Sequence, residues 1–230
     1  MKIPQTEFVK TFEIAIQSGA ILAVIFLYRR TIFAKQVFAR GGLAWIVLTA
    51  FIPTAIIGFT LYKFIKQYLI GSSEVVLLSL FLGGIVLIAV ELLFKAKSPA
   101  SPAGRQKLIA NSQISYEKAF VIGLFQSISM IPGVSRAAAT IIGGLLVGLP
   151  RKTAVEFSFL LAVPTMLAAT ALDLRQTSFT FDSNQWAALS ACFITSFIVA
   201  LISIKWLLKY VQTNNFILFG VYRISIAVIY

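Results

Sequence analysis

AFVIGLFQSISMIPGVSRAAATIIGGLLVGL, residues 119–149, decides how this chain is threaded. Thirteen largely apolar residues, 119–131, lead to Pro132-Gly133, and a second apolar run follows Arg136. At about 1.5 Å per residue, thirteen helical residues reach only ~20 Å. The hydrocarbon core of a bilayer is ~30 Å thick. Two half-length helices joined by a Pro-Gly loop predict a re-entrant hairpin over 119–149. The alternative is one long, kinked span.

The rest of the sequence sets the context. Of its 230 residues, 59% are hydrophobic and 12% charged, against ~25% charged in soluble domains. With a mean hydropathy of +0.91, a water-soluble fold is excluded. Six spans of about the required length are expected at 11–28, 43–62, 75–94, 153–174, 187–208 and 214–230. The expected fold is therefore all-α: a polytopic integral membrane protein of six transmembrane helices plus one re-entrant helical hairpin. Residues 95–118 hold the polar run KAKSPASPAGRQK and read as a solvated linker. No cleavable signal peptide is read in MKIPQTEFVK, so the first span is expected to act as its own insertion signal.

Basic residues arbitrate between hairpin and span. A hairpin puts Arg29, Arg30, Lys35, Arg40, Lys95, Lys97, Arg105, Lys107, Lys118, Arg151, Lys152, Lys205 and Lys209 on one side, thirteen in all. Five, Lys2, Lys10, Lys63, Lys66 and Arg175, face the other. A single crossing gives ten against eight. The positive-inside bias favours the hairpin and makes 95–118 cytoplasmic. The net charge of +12 falls between apolar runs, which points to anionic lipid and not to nucleic acid. Absence of histidine removes imidazole chemistry and most zinc sites. Cys192 is the sole cysteine, so an internal disulfide is excluded.

An internal repeat is also legible. The segment TFEIAIQSGAILAVIFLYRR at 11–30 is similar to AVEFSFLLAVPTMLAATALDLR at 154–175. Residues 11–94 hold three spans, and 119–230 hold a hairpin plus three spans. An odd number of spans per block gives inverted repeats. The first block, with about ten residues before its first span, is expected to lack its own hairpin through truncation or a late start.

The hairpin tip collects the available chemistry. Arg136 is a permanent cation where lipid would otherwise be, and such charges usually have a partner or a function. Its planar fork suits phosphate oxygens. Ser135 adds a hydroxyl, and Gly133 lets backbone approach a ligand. Thr140 is expected where the second half-helix begins, either binding an anion with that helix end or capping it. Gln126 either orients a ligand or ties two helices together through its amide. The alternative for Arg136 is a structural ion pair with Glu13 or Glu156. Glu13, Gln17 and Glu156 are expected to face the bundle interior, where the two glutamates either help hold a divalent cation or pack helices. Asp173 and Glu91 read as solvated span ends.

The run GLFQSISMIPGVSRAAATIIGGLLVGLPRKTAVEFSFLLAVPTMLAATALDL closely resembles the bacterial undecaprenyl-diphosphate phosphatases, the bacitracin-resistance proteins. KTFEIAIQSGAILAVIFLYRR matches their early region, and the resemblance covers nearly the whole chain in order. It implies hydrolysis of undecaprenyl diphosphate to the monophosphate and phosphate. That recycles the peptidoglycan lipid carrier at the bacterial plasma (inner) membrane. It also implies a divalent cation, Mg²⁺ or Ca²⁺, and a phosphate site on Ser135, Arg136 and Thr140, with Ser135 and Arg136 catalytic. The expected partners are the polyprenyl diphosphate and membrane lipid, and a homo-oligomer is allowed.

Two departures qualify the resemblance. The family's first hairpin carries a glutamate-rich motif and a Pro-x-Ser-Ser-x-Gly-His loop, and neither stands in this sequence. Its usual Ser-Arg-Ser-Gly-Ala-Thr reads Ser135-Arg136-Ala137-Ala138-Ala139-Thr140 here. Ala137 lacks a hydroxyl, and Ala138 resists a left-handed backbone that Gly permits. This 230-residue chain is therefore expected to bind the lipid diphosphate weakly and hydrolyse it slowly. The competing expectations are a lipid-carrier transporter or flippase, for which inverted repeats and broken helices are also a signature, and a catalytically incomplete membrane protein.

Overall fold

A computed structural model describes residues 7–39, 41–69, 72–95, 114–175 and 181–230. Most of the 95–118 linker lies outside these residues. All regular structure among the described residues is helical. In order come α1 (Glu7–Leu27), a short α2 (Arg29–Ile32), a 3₁₀ turn (Lys35–Val37) and α3 (Leu43–Phe64), which runs on into a π turn (Ile65–Leu69). They are followed by α4 (Ser73–Lys95), α5 (Tyr116–Ile128), α6 (Arg136–Leu146), α7 (Arg151–Leu174), α8 (Ser183–Thr213) and α9 (Ile217–Ile229).

Five of these, α1, α3, α4, α7 and α8, are long and apolar enough to cross a membrane. Large apolar side chains such as Phe59, Leu78, Ile202 and Leu218 are exposed along the helices, as lipid contact allows. The chain is a polytopic membrane protein. Five of the six expected spans are met. The sixth, 214–230, is a helix of 13 residues, ~20 Å long and short of the bilayer core. Between α4 and α7 stand two short helices of 13 and 11 residues, packed on each other. Residues 119–149 are thus broken at the Pro-Gly step, and the single continuous span is not what forms.

The chain forms two compact units. One comprises the described parts of 1–34 and 159–207. Within it α1 lies close to α8: a Cβ added at Gly19 would meet the Phe193 carbonyl and the Phe197 amide. Ser196 Oγ donates to the Ile16 carbonyl at 2.6 Å. Phe26 and Phe197 meet edge to face. Small residues permit such approach, and packing with interhelical hydrogen bonds replaces the hydrophobic drive missing in lipid.

The second unit comprises the described parts of 35–158 and 208–230 and carries the hairpin. Here α3 packs on α5, and α4 on α9. At the α3–α5 crossing Gly123 faces the backbone of Ala50, with no room for a Cβ. Thr54 Oγ1 donates to the Gly123 carbonyl at 3.0 Å. Gly123→Ala should force the two helices apart, lose that bond and destabilise the unit by about 1–3 kcal/mol. Denaturant titration in detergent micelles reads this, and an unchanged midpoint would mean the crossing is looser than described.

Candidate functional site

The site is built on the turn between α5 and α6. After α5, Met130 N–H donates to Ser127 O and Ile131 N–H to Ile128 O, winding the chain down. Val134 N–H then donates to the Ile131 carbonyl at 3.2 Å, closing a turn around Pro132-Gly133. Gly133 has φ +91°, the left-handed value a type II turn demands after proline. A Cβ there would stand 2.5 Å from the Val76 carbonyl oxygen of α4. Glycine is required twice over, by its backbone angle and by contact with α4.

Ser135 follows with φ 66° and ψ 115°. A side-chain-bearing residue in so sparsely populated a region costs of order 1–3 kcal/mol and must be held by its surroundings. Its Oγ accepts from Ala138 N–H at 3.4 Å and caps α6. The strain anticipated at Ala138 therefore falls on Ser135, because α6 begins at Arg136 and Ala138 is already helical. For the same reason Thr140 stands one turn inside the helix and not at its start. Its buried hydroxyl donates to the Arg136 carbonyl at 2.9 Å and lies 2.5 Å from Ser158 Oγ of α7.

Arg136 is the first residue of α6 and is half-buried. Its Nη1 is buried without a hydrogen-bond partner. The ion pairs among the described residues are Lys10–Glu7 and Arg151–Glu91; Arg136 is in neither. The first N–H groups of any α-helix lack intrahelical partners and carry its positive dipole end. Guanidinium, helix terminus and the exposed Ser135 meet at one turn, a combination suited to a tetrahedral anion.

The other candidates are placed differently. Gln126 is 1% exposed and its Nε2 donates to Thr54 Oγ1 at 3.1 Å, tying α5 to α3. Glu13, expected in the interior, is exposed on α1, while Gln17 and Glu156 are half-buried. Glu91, expected at a solvated end, is instead 1% exposed. It accepts from Arg151 Nε at 2.8 Å and from Arg151 Nη2, and its second oxygen takes Phe216 N–H at 3.4 Å. One carboxylate thus joins α4, the start of α7 and the approach to α9. Among the described residues no three His, Cys, Asp or Glu side chains gather in a way that would hold a metal ion. These residues do not fit a protein-caged divalent cation.

Sequence reasoning left Arg223 unassigned. It is buried on α9, and its Nη2 donates to the Gly133 carbonyl at 2.9 Å and to the Ser79 carbonyl at 3.3 Å. The signal was a cation in an apolar run together with the Gly83-Gly84 pair that makes room for it on α4.

The sequence profile described as "Bacitracin resistance protein BacA" matches residues 1–229. The chain belongs to the BacA family. Among relatives, an undecaprenyl-diphosphatase of Aquifex aeolicus is 48% identical over 99% of this chain and 84% of its own length. The undecaprenyl-diphosphatase of Sulfurihydrogenibium sp. is 46% identical with the same coverage. That of Wolinella succinogenes is 44% identical, again over 99% and 84%. The resemblance read from the Pro-Gly-Val-Ser-Arg turn and its flanks is therefore family membership. In this BacA-family chain the turn supplies a cation, a hydroxyl and a helix end, and the sequence offers no imidazole.

Proposed function

We propose that this chain hydrolyses undecaprenyl diphosphate to undecaprenyl phosphate and inorganic phosphate. The reading rests on membership of a family whose named relatives are undecaprenyl-diphosphatases. Within the chain, the observation that carries it is Arg136, whose buried Nη1 lacks a partner at the N-terminus of α6. Water adds to the terminal phosphorus, the anhydride P–O bond breaks, and the lipid phosphate leaves. Arg136 grips the terminal phosphate and neutralises charge that grows as that bond breaks. Ser135 Oγ stands beside it as a further polar contact, and Thr140 braces the first turn of α6 from behind.

In this reading the α5–α6 hairpin enters the membrane without crossing it, and 214–230, too short as α9 alone to cross the full hydrocarbon core, is the sixth membrane segment. Residues 11–94 and 119–230 are inverted repeats joined by a cytoplasmic 95–118. Broken helices within a membrane are tolerated where they are buried in protein or line a wet cavity, which is the setting a phosphate head needs. The protein then serves the bacterial plasma membrane, returning lipid carrier to peptidoglycan synthesis and supporting bacitracin resistance. A divalent cation reaches the site only in company with groups other than a cluster of the described side chains.

Purified chain in nanodiscs containing undecaprenyl diphosphate tests the reading. Phosphate should be released slowly but above a protein-free control, since the sequence offers no imidazole to activate water, with one undecaprenyl phosphate formed per phosphate. Movement of intact lipid phosphate across liposomes with no phosphate release would overturn it in favour of a transporter.

A further inference from the structure

The guanidinium of Arg223 is buried in the apolar helix α9, and its two described hydrogen bonds go to backbone carbonyls. An intramembrane cation is costly and calls for a functional account. Both carbonyls are informative. Ser79 lies on α4, and Gly133 is the central residue of the turn that aims Ser135 and Arg136. The Gly133 carbonyl shares a peptide plane with the Val134 N–H that closes the turn onto Ile131. Holding that oxygen fixes the 133–134 peptide plane, which leaves only Val134 between the anchored plane and the strained Ser135.

The fit around the guanidinium is close. A Cβ at Gly83 would stand 2.5 Å from Arg223 Nη2, and one at Gly84 2.8 Å from the Gly220 carbonyl. Two consecutive glycines therefore let α4 and α9 approach until the arginine reaches the Ser79 carbonyl of α4 and the Gly133 carbonyl of the turn. Contact between Gly133 and Val76 seats the turn on the same face of α4.

We propose that Arg223 is a positioning residue for phosphate hydrolysis: it locks the Pro132-Gly133 turn onto α4 and so fixes Ser135 and Arg136 in register with the lipid diphosphate. This inference rests on the function proposed above. Arg223 acts through the turn. Its loss misplaces the reacting geometry without removing a side chain proposed to touch the lipid diphosphate. A misplacement near 1 Å is enough to lower a rate by about 10²-fold.

The test compares wild type, Arg223→Ala, Arg223→Lys and Gly83→Ala in nanodiscs, reading kcat and KM for phosphate release together with amide exchange over residues 131–138. Arg223→Ala should lower kcat by about 10²-fold with KM little changed, because the interaction lost serves the transition state. Exchange should quicken at the turn and stay slow in α4. Arg223→Lys should recover part of kcat, since an ammonium keeps N–H donors for the two carbonyls that Nη2 alone serves but lacks the planar guanidinium that sets its position. Gly83→Ala, which crowds the guanidinium from the opposite helix, should move kcat and turn exchange in the same direction as Arg223→Ala. Unchanged kcat in Arg223→Ala, or faster exchange throughout α4 and α9 with no rescue by lysine, overturns the proposal. A wild type that releases no phosphate overturns the function itself, and turn exchange in Arg223→Ala then decides the anchoring on its own.

Discussion

Arg136→Ala should lower phosphate release from undecaprenyl diphosphate by at least about 10²-fold, the loss expected when a preorganised charge donor is taken from a phosphoryl-transfer site. The direction follows from its surroundings. Nη1 is buried and unpartnered while the residue as a whole is half-buried, so one end of the guanidinium is already desolvated and needs little reorganisation when an anion arrives. Removal also leaves α6 folded, because Ser135 Oγ and its carbonyl still cap the helix through Ala138 and Ala139. Arg136→Lys should fall in between, retaining charge but losing the planar two-pronged contact. Single-turnover phosphate release checks both. A loss of only a few-fold in Arg136→Ala would make the residue a structural cation.

Glu91→Ala should be the most destabilising single change. Its carboxylate is 1% exposed and satisfies Arg151 from α7 and the Phe216 N–H before α9. Deleting the carboxylate strands Arg151, and because that side chain is 28% exposed the loss should fall toward the lower end of the ~3–5 kcal/mol typical of a fully buried pair. Desolvation opposes the attraction in such pairs, so the double replacement Glu91→Leu with Arg151→Met should be much milder than Glu91→Ala alone. Chemical unfolding in micelles distinguishes the cases. Equal destabilisation by the single and double variants would show that helix packing, not the stranded cation, sets the penalty.

These two residues also show what the sequence could and could not disclose. The long apolar runs were visible, as was the break at Pro132-Gly133, because span length and proline chemistry are local properties. The second half-length helix was legible as well, but its start was read at Thr140; it begins one turn earlier, at Arg136, because the Ser135 cap that starts it rests on a backbone angle no local pattern announces. Glu91 was misread because its position at the end of an apolar run suggests water, whereas its partner lies 60 residues away. No local pattern encodes that pairing. Glu13 was expected in the interior on the general cost of exposed intramembrane charge, and its exposure on α1 is a property of packing. Strain at Ser135 was hidden because serine gives no compositional sign of a positive φ, while the nearby alanine replacing a glycine drew attention to the wrong residue. The hydroxyl pair Thr140–Ser158 joins α6 to α7, and only the return of the chain after Pro150 brings it together.

The most direct measurement is solid-state NMR on the chain with ¹⁵N-labelled arginine in nanodiscs loaded with undecaprenyl diphosphate. Dipolar dephasing of guanidinium ¹⁵N by ³¹P should appear in wild type and vanish in Arg136→Lys. Dephasing that is absent from wild type, or that survives the substitution intact, would contradict the assignment of the phosphate grip to Arg136.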